Sequence, residues 1–160
     1  MKFLGIDPGL ATIGYAVIEE VVESVRPLDY GCLTTPAGMP FADRLKTIKD
    51  DLSEILLRYR PASAAVETIL FETNKKTAMD VAQARGVIML TLREHDVPIV
   101  ELSPLQVKNM ATGDGRADKI QIQTMVQKIF SLKSPPKPDD AADALALAWC
   151  AYLMNGRIVG

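Results

Sequence analysis

Four carboxylates occupy positions where a folding chain usually places apolar side chains. Asp7 ends the apolar run at the N-terminus, and Glu67 ends a shorter run of alanine and valine. Asp140 and Asp143 open an otherwise apolar stretch near the C-terminus. A carboxylate is rarely buried unless a cation or another partner offsets the cost of removing its charge from water. Two carboxylates at strand ends and two on one helical turn therefore predict a metal site.

Each of these carboxylates also has a simpler interpretation. Asp7 begins an Asp-Pro-Gly turn, and Glu67 could pair with a lysine or an arginine. Asp139 and Asp140 could cap the last helix, because negative charge is favoured at a helix N-terminus, and we favour this interpretation for Asp139. Asp143 fits it less well, because it lies three residues after Asp140 on the same helical face. The small alanines around it would let this turn pack closely against the two strand ends.

The chemistry of such a cluster follows from its charge. Four carboxylates at one site repel each other strongly unless protons or cations intervene. Ligand sets made only of oxygen suit Mg²⁺ or Mn²⁺, and two such ions stabilise the attacking and leaving oxygens in phosphodiester cleavage. The single histidine, His95, lies in a polar run and is predicted to be a surface residue. A histidine-based triad or a zinc site therefore has little to build from.

Composition limits the class of protein. The 160 residues fit one domain, and 48% hydrophobic with 24% charged residues is ordinary for a soluble globular protein. The net charge of −2 does not favour a nucleic-acid partner, but residues 104–137 carry six basic and two acidic side chains. A local basic face can bind phosphate, although a solvated helix face explains the same count.

The cysteines and the hydropathy pattern bear on location. Cys32 and Cys150 lie far apart in apolar surroundings, which predicts reduced thiols in the core of a cytoplasmic protein. The N-terminal apolar run is interrupted too early by the Asp-Pro-Gly turn to form a signal peptide. No apolar stretch approaches the length of a membrane span.

Periodicity and turn signals predict ten elements in a single domain, residues 1–155, followed by a C-terminal tail, 156–160. The first three strands read as a meander and later strands alternate with helices, which is typical of a mixed α/β sheet. The helix over 74–95 is apolar nearly all round in its second half, so it needs cover on two sides, from its own domain or a second subunit. The predicted strands cover 2–7, 11–20, 24–35, 64–67 and 97–102, and the predicted helices cover about 41–59, 74–95, 104–110, 117–131 and 139–154.

Four short motifs follow one another between residue 3 and about 153. They are Gly5-Ile-Asp-Pro-Gly9 with Gly14-Tyr15, then Val66-Glu67 with Asn74 and Gln83-Ala-Arg-Gly86, then Gln106-Val-Lys108 with Gly113, Gly115 and Lys119, and finally Asp140-Ala-Ala-Asp-Ala-Leu-Ala146. Each motif is weak alone, but in this order and spacing the chain resembles the RuvC family of Holliday-junction resolvases. The resemblance implies a ribonuclease-H-like fold, a mixed five-stranded sheet flanked by helices.

The resemblance also implies roles for the acidic residues. In the family the positions of Asp7, Glu67, Asp140 and Asp143 form the metal-binding catalytic set. The cofactor it implies is Mg²⁺, two ions in each active site, with Mn²⁺ able to substitute. The acidic cluster and the family therefore lead to the same chemistry.

Basic and aromatic positions are assigned to DNA by the same resemblance. Lys108 and Lys119 match family positions near the active site that contact DNA phosphates. We also expect Arg116, in the neighbouring polar loop, to bind DNA. In the family an aromatic residue after the catalytic glutamate stacks at the junction. Leu70 takes the matching position here, and Phe71 follows one residue later.

The implied function is a structure-selective endodeoxyribonuclease that resolves Holliday junctions by paired symmetric nicks in DNA recombination and repair. A two-fold symmetric junction needs two opposed cuts, which implies a homodimer, with residues 74–95 predicted to form the contact. The family further implies RuvA and RuvB as partners. Three alternatives stay open: a related nuclease acting on other branched DNA or RNA, a catalytically silent junction-binding module, and a sugar-kinase-like phosphate hairpin. The last needs two such domains, and this chain has one.

Overall fold

The computed structural model describes residues 1–22, 24–69 and 75–158. Its strands are β1 Lys2–Asp7, β2 Thr12–Val21, β3 Ser24–Thr34, β4 Ser63–Glu67 and β5 Ile99–Leu102, and its helices are α1 Phe41–Tyr59, α2 Lys75–Glu94, α3 Pro104–Thr112, α4 Lys119–Ile129 and α5 Asp139–Ile158. The largest departure from the predicted bounds is α5, which continues four residues past residue 154. Gly156 lowers helix stability by about 1 kcal/mol but keeps its backbone donor, so it does not end the helix.

The five strands form one mixed sheet in the order β3-β2-β1-β4-β5. The first three strands are antiparallel neighbours, whereas β4 runs parallel to both β1 and β5. This arrangement confirms the predicted fold class. Because β1 is the central strand and β4 lies beside it, the C-terminal ends of these two strands meet at one edge of the sheet, and they carry Asp7 and Glu67.

Helices cover both faces of the sheet. One core lies between the sheet and α3, α4 and α5 and contains Phe3 and Ala65, while a second core under α1 and α2 contains Leu4 and Val66. Side chains alternate between the two faces along a strand. Asp7 therefore shares the face of Phe3, and Glu67 shares the face of Ala65, so both carboxylates lie on the side that α5 covers.

Helix α5 crosses this face at backbone contact. A Cβ atom added to Gly5 would lie 2.0 Å from the carbonyl oxygen of Ala144, and one added to Gly14 would lie 2.2 Å from that of Asp140. Only glycine can occupy positions where a helix backbone comes this close to a strand. The predicted close packing of the first turns of α5 against the strand ends is confirmed.

Helix α2 is covered on one side only in the described part of the chain. Ala84, Ile88 and Leu92 are buried against the sheet and α1, whereas Met79 is 70% exposed and Leu90 is 56% exposed. The helix therefore has the second apolar face that the sequence predicts, and none of the described residues of its own domain covers Met79 or Leu90 on that face.

Both cysteines are free thiols. Cys150 is buried in the core around α5, but Cys32 is half-buried, less than the sequence predicts, because β3 is an edge strand. Among the described residues, no helix combines the length and the apolar character needed to cross a membrane.

Candidate metal centre

The structure brings all four predicted carboxylates together. Carboxylate oxygens of Asp7, Asp140 and Asp143 lie within 4.8 Å of one another. Glu67, at the end of the neighbouring strand, lies close enough to Asp7 for its charge to raise the pKa of Asp7. Strand pairing places the first two ligand candidates side by side, and the first turns of α5 place the other two over them.

The electrostatics of this cluster favour proton or cation binding. Burial, and then the charges of Glu67, Asp143 and Asp140, raise the pKa of Asp7 to about 8. Burial and the charge of Asp143 raise the pKa of Glu67 to about 7. Burial also raises the pKa of Asp143, although Lys119 and Lys108 oppose this. In the absence of a cation, the cluster retains protons into the neutral range because its negative charges are crowded and partly removed from water.

The residues present fit a hard divalent cation. All four side chains offer carboxylate oxygens, and the crowding of like charge that raises their pKa values is what a cation would relieve. The described residues place no histidine or cysteine in the cluster, which argues against a zinc site.

A cleft of about 220 Å³ opens beside the carboxylates. Glu67 and Asp143 line it together with Lys108 and Lys119, and its remaining lining is mostly apolar: Pro104, Val107, Ile122 and Ala146. Divalent cations bind to carboxylates, and phosphate groups bind to lysines. A cleft with both groups can hold a phosphodiester next to a metal site.

Two capping boxes set the positions of the lysine-bearing helices. At the start of α3, the Ser103 side chain accepts a hydrogen bond from the Gln106 backbone, and the Gln106 side chain accepts one from the Ser103 backbone. Asp118 and Gln121 make the same reciprocal pair at the start of α4. The Ser103 cap fixes the start of α3 at Pro104. Because Asp118 caps α4, Lys119 is its first residue.

Asp139 connects α5 to α4 through its side chain. Its carboxylate accepts a hydrogen bond from Gln123 Nε2 at 2.9 Å and lies 2.8 Å from Lys119 Nζ. Both members of the ion pair are more than half exposed, so the pair adds little stability. Its consequence is local, because it holds Lys119 at the rim of the cleft. The sequence predicts a capping role for Asp139, whereas in the structure its carboxylate pairs with Lys119 and Gln123 of α4.

Of the remaining predicted DNA contacts, only Arg116 is among the described residues, and it does not line the cleft. Arg116 is exposed in the loop between α3 and α4, where its backbone N–H donates to the Asp114 carboxylate. Leu70 and Phe71 lie outside the described residues, as does Asn74 of the second motif. Arg85 is a further residue at this end of the sheet that the sequence does not single out, because it stands there only inside the motif Gln83-Ala-Arg-Gly86.

The raised pKa values predict how stability depends on pH. The pKa of Asp7 rises from an ordinary 3.8 to about 8 on folding, so in this range the folded chain holds a proton that the unfolded chain has released. The free energy of unfolding of the metal-free protein therefore falls as pH rises through this window. We expect its melting temperature to decrease from about pH 5.5 to about pH 8, and Mg²⁺ to restore it at the upper end.

Two variants give the controls for this experiment. Asp7→Asn should flatten the pH dependence, whereas Asp43→Asn, at an exposed position on α1, should leave it unchanged. If the melting temperature of Asp7→Asn decreases with pH as steeply as that of the wild type, the pH dependence does not come from the acidic cluster.

The sheet topology and the acidic cluster together are typical of one class of enzyme. A mixed five-stranded sheet with carboxylates at the ends of two adjacent strands and on a helix across them is the arrangement of ribonuclease-H-like nucleases. The chain belongs to the RuvC family, because the model of the family described as crossover junction endodeoxyribonuclease RuvC matches residues 3–151. The resemblance seen in the sequence is confirmed.

Individual relatives agree with the family match. The crossover junction endodeoxyribonuclease RuvC of Alkaliphilus oremlandii is 50% identical over 150 residues, which cover 94% of this chain and 92% of the relative. The structure of Thermus thermophilus RuvC superposes with a TM-score of 0.88 at 32% identity, covering 99% of this chain and 97% of that one. The structure of T. thermophilus RuvC in complex with Holliday junction substrate also superposes with a TM-score of 0.88. Its identity is 30%, and the match covers 98% of this chain and 96% of that one.

Proposed function

We propose that this chain is a structure-selective endodeoxyribonuclease that resolves Holliday junctions by paired symmetric nicks, in DNA recombination and repair. The observation that carries the proposal is the cleft lined by two carboxylates of the acidic cluster and by two lysines. Relatives covering nearly the whole chain bear the name of this activity, and T. thermophilus RuvC has been solved with a Holliday junction.

The proposed cofactor is Mg²⁺, two ions in each site, with Mn²⁺ as a substitute. Asp7, Glu67, Asp140 and Asp143 would hold the ions, since their oxygens converge at the sheet edge. When bound, the ions would activate a water molecule and stabilise charge on the attacking and leaving oxygens of the phosphodiester. The carboxylates also exclude a second anion from the cleft unless cations are present, which couples DNA cleavage to metal loading.

The lysines are proposed to hold the scissile phosphate. Lys108 is half-buried and acts on the pKa of both Glu67 and Asp143, so it lies close to the acidic cluster. Lys119 lies at the rim, held by Asp139. Positive charge at these two positions favours the negative phosphate and stabilises the charge that develops in the transition state. Leu70 and Phe71 remain proposed DNA contacts from the family resemblance, and Arg116 remains a proposed DNA contact as well.

The exposed face of α2 supports a homodimer. Met79, Gln83, Gly86 and Leu90 are exposed along this helix at spacings of four, three and four residues, so they form one stripe. Space is open around Gly86, where a Cβ would meet no atom of the described residues within 4 Å, so a second helix can approach closely. An isologous contact through this stripe would supply the two opposed sites that a two-fold symmetric junction needs.

Leu90→Lys tests this interface. A lysine within a helix–helix contact buries a charge without a partner, so we expect the dimer dissociation constant to rise by at least about tenfold. Analytical ultracentrifugation measures it. The matched control is Leu57→Lys on α1, which is similarly exposed at 63% against 56% and should leave the dimer intact. Equal dimer affinity for Leu90→Lys and the wild type would place the interface elsewhere.

The family resemblance adds RuvA and RuvB as proposed partners, and the two free thiols are compatible with the proposed cytoplasmic location. Co-purification of tagged protein with RuvA and RuvB on a junction is the direct measurement. If no ternary complex forms, the proposal of RuvA and RuvB as partners fails, and the proposed cleavage activity is not contradicted.

The cleavage proposal is tested with a synthetic mobile four-way junction, with and without Mg²⁺, by mapping nicks on all four strands. Paired nicks at symmetric positions on two like strands, present only with Mg²⁺, are expected. Three-way and duplex substrates, and an RNA hybrid, are the comparisons. Preferential cutting of one of these would favour the related nuclease on other branched DNA or RNA, and junction binding without any nick would favour the silent module.

A further inference from the structure

Arg85 connects helix α2 to the end of the strand that carries Glu67. Its Nε donates a hydrogen bond of 3.0 Å to the backbone carbonyl oxygen of Glu67. Its Nη2 donates to the carboxylate of Glu101 on the neighbouring strand β5. The Arg85 side chain is only 19% exposed, whereas Glu101 is about half exposed. One guanidinium therefore joins three elements at the sheet edge where the acidic cluster lies.

The Glu67 carbonyl lies where the regular sheet pairing stops. The last paired residues of β1 and β4 are Ile6 and Val66, so the pairing between these two strands stops one residue before Glu67. On the other side, the Thr68 N–H donates to the Leu102 carbonyl at 2.8 Å as the chain leaves the sheet. The carbonyl of Glu67 is instead satisfied by Arg85, which sets the plane of the peptide that follows this residue.

We propose that Arg85 is a positioning residue for the metal-site carboxylate Glu67. It acts through the backbone: by holding the Glu67 carbonyl from α2, with Glu101 as second anchor, it sets the direction in which the Glu67 side chain enters the cluster. This inference rests on the proposed metal-dependent function, and it adds a role that the acidic residues themselves do not supply.

The geometry requires arginine. The two hydrogen bonds leave Arg85 from different nitrogens of one planar, rigid group, in the directions of a backbone carbonyl and a carboxylate. A lysine has a single charged nitrogen on a flexible stem and cannot reproduce both directions. Groups that orient metal ligands in this way typically change metal affinity or activity by about 10- to 100-fold when they are removed.

The experiment uses the full chain with Arg85→Met, which keeps the length of the side chain and removes its donors, and with Arg85→Lys. Mg²⁺ affinity is measured by calorimetry without DNA, and junction affinity and single-turnover cleavage are measured separately. We expect Arg85→Met to raise the Mg²⁺ dissociation constant about tenfold or more and to slow cleavage by about 10- to 100-fold, with junction affinity within about twofold of the wild type. Arg85→Lys should fall between Arg85→Met and the wild type.

Matched controls separate positioning from folding. Arg93→Gln, on the same helix but 77% exposed, should change none of these measurements, and Glu101→Gln should weaken Mg²⁺ binding less than Arg85→Met does. Should Arg85→Met fail to fold, Arg85→Lys and Glu101→Gln carry the test. Lower melting temperature with unchanged Mg²⁺ affinity and cleavage would show a purely structural role and overturn the proposal. Loss of junction affinity alone would make Arg85 a DNA contact and would also overturn it.

The Mg²⁺ affinity measured by calorimetry also distinguishes a failure of the positioning role from a failure of the proposed function. If the wild type binds Mg²⁺ but cuts no junction, the substrate proposal fails, and weaker Mg²⁺ binding by Arg85→Met still supports the positioning role. If the wild type cuts junctions and Arg85→Met binds Mg²⁺ and cuts as the wild type does, the positioning role alone fails.

Discussion

Replacing Asp7 with asparagine is expected to lower the rate of junction cleavage by at least about a thousandfold, which corresponds to about 4 kcal/mol of transition-state stabilisation. Asp7 has this effect because it is the carboxylate that the other three surround: its pKa is raised by the charges of Glu67, Asp143 and Asp140 together. Asparagine has almost the same shape but no charge, so it removes an anionic ligand and leaves the fold in place.

The same substitution should leave junction binding close to that of the wild type, and binding without Mg²⁺ should become slightly tighter because one negative charge has gone. Single-turnover cleavage and a gel-shift titration measure the two properties on one protein sample. Asp43→Asn, an exposed position on α1, is the matched control and should keep full activity. Cleavage by Asp7→Asn at the wild-type rate would refute the metal-site assignment.

Gly5→Ala is the substitution expected to affect stability most. The new Cβ would lie 2.0 Å from the carbonyl oxygen of Ala144 and 2.3 Å from the backbone nitrogen of Ala148. Neither atom belongs to a flexible side chain, so α5 itself must move away from the sheet. We expect a loss of about 3 kcal/mol or more in the free energy of unfolding, measured by urea denaturation. This is a drop of roughly 10 °C in melting temperature for a chain of this size.

The displacement should also reach the metal centre, because α5 carries Asp140 and Asp143. Mg²⁺ affinity should therefore fall in the fraction of Gly5→Ala that remains folded. Gly38→Ala is the control, since a Cβ there meets no atom of the described residues within 4 Å, and its effect should stay within about 0.5 kcal/mol. Comparable stability of the two variants would mean that α5 does not approach the sheet as closely as the structure has it.

Most of the element order could be predicted because the signals are local. Strand alternation, the helical spacing of apolar residues and the turn residues each act within a few positions of the chain, and all ten elements appear where these signals occur. The errors lie at element ends. The start of α4 depends on which residue caps the helix, and Asp118 does so one residue before the helix begins.

The contacts that the sequence did not reveal are those between elements distant along the chain. Arg85 and Glu67 are 18 residues apart, and Lys119 and Asp139 are 20 apart, so no local periodicity relates either pair. The sequence also did not reveal which face of α2 is exposed. Its sequence is apolar on two faces, and only packing decided that the Ala84 and Leu92 face lies against the domain while Leu90 faces outward.

The sequence by itself determined which residues carry the chemistry: carboxylates that end buried strands and open an apolar helix cannot be stabilised by local contacts alone. It also determined the face on which they lie, through the two-residue repeat of a strand and the turn of a helix. The tertiary structure decided that the carboxylates meet. The oxygens of Asp7, Asp140 and Asp143 come within 4.8 Å of one another because the backbone of α5 can touch two strands at glycine positions. That distance depends on close packing between segments more than a hundred residues apart, which no short pattern in the chain can specify.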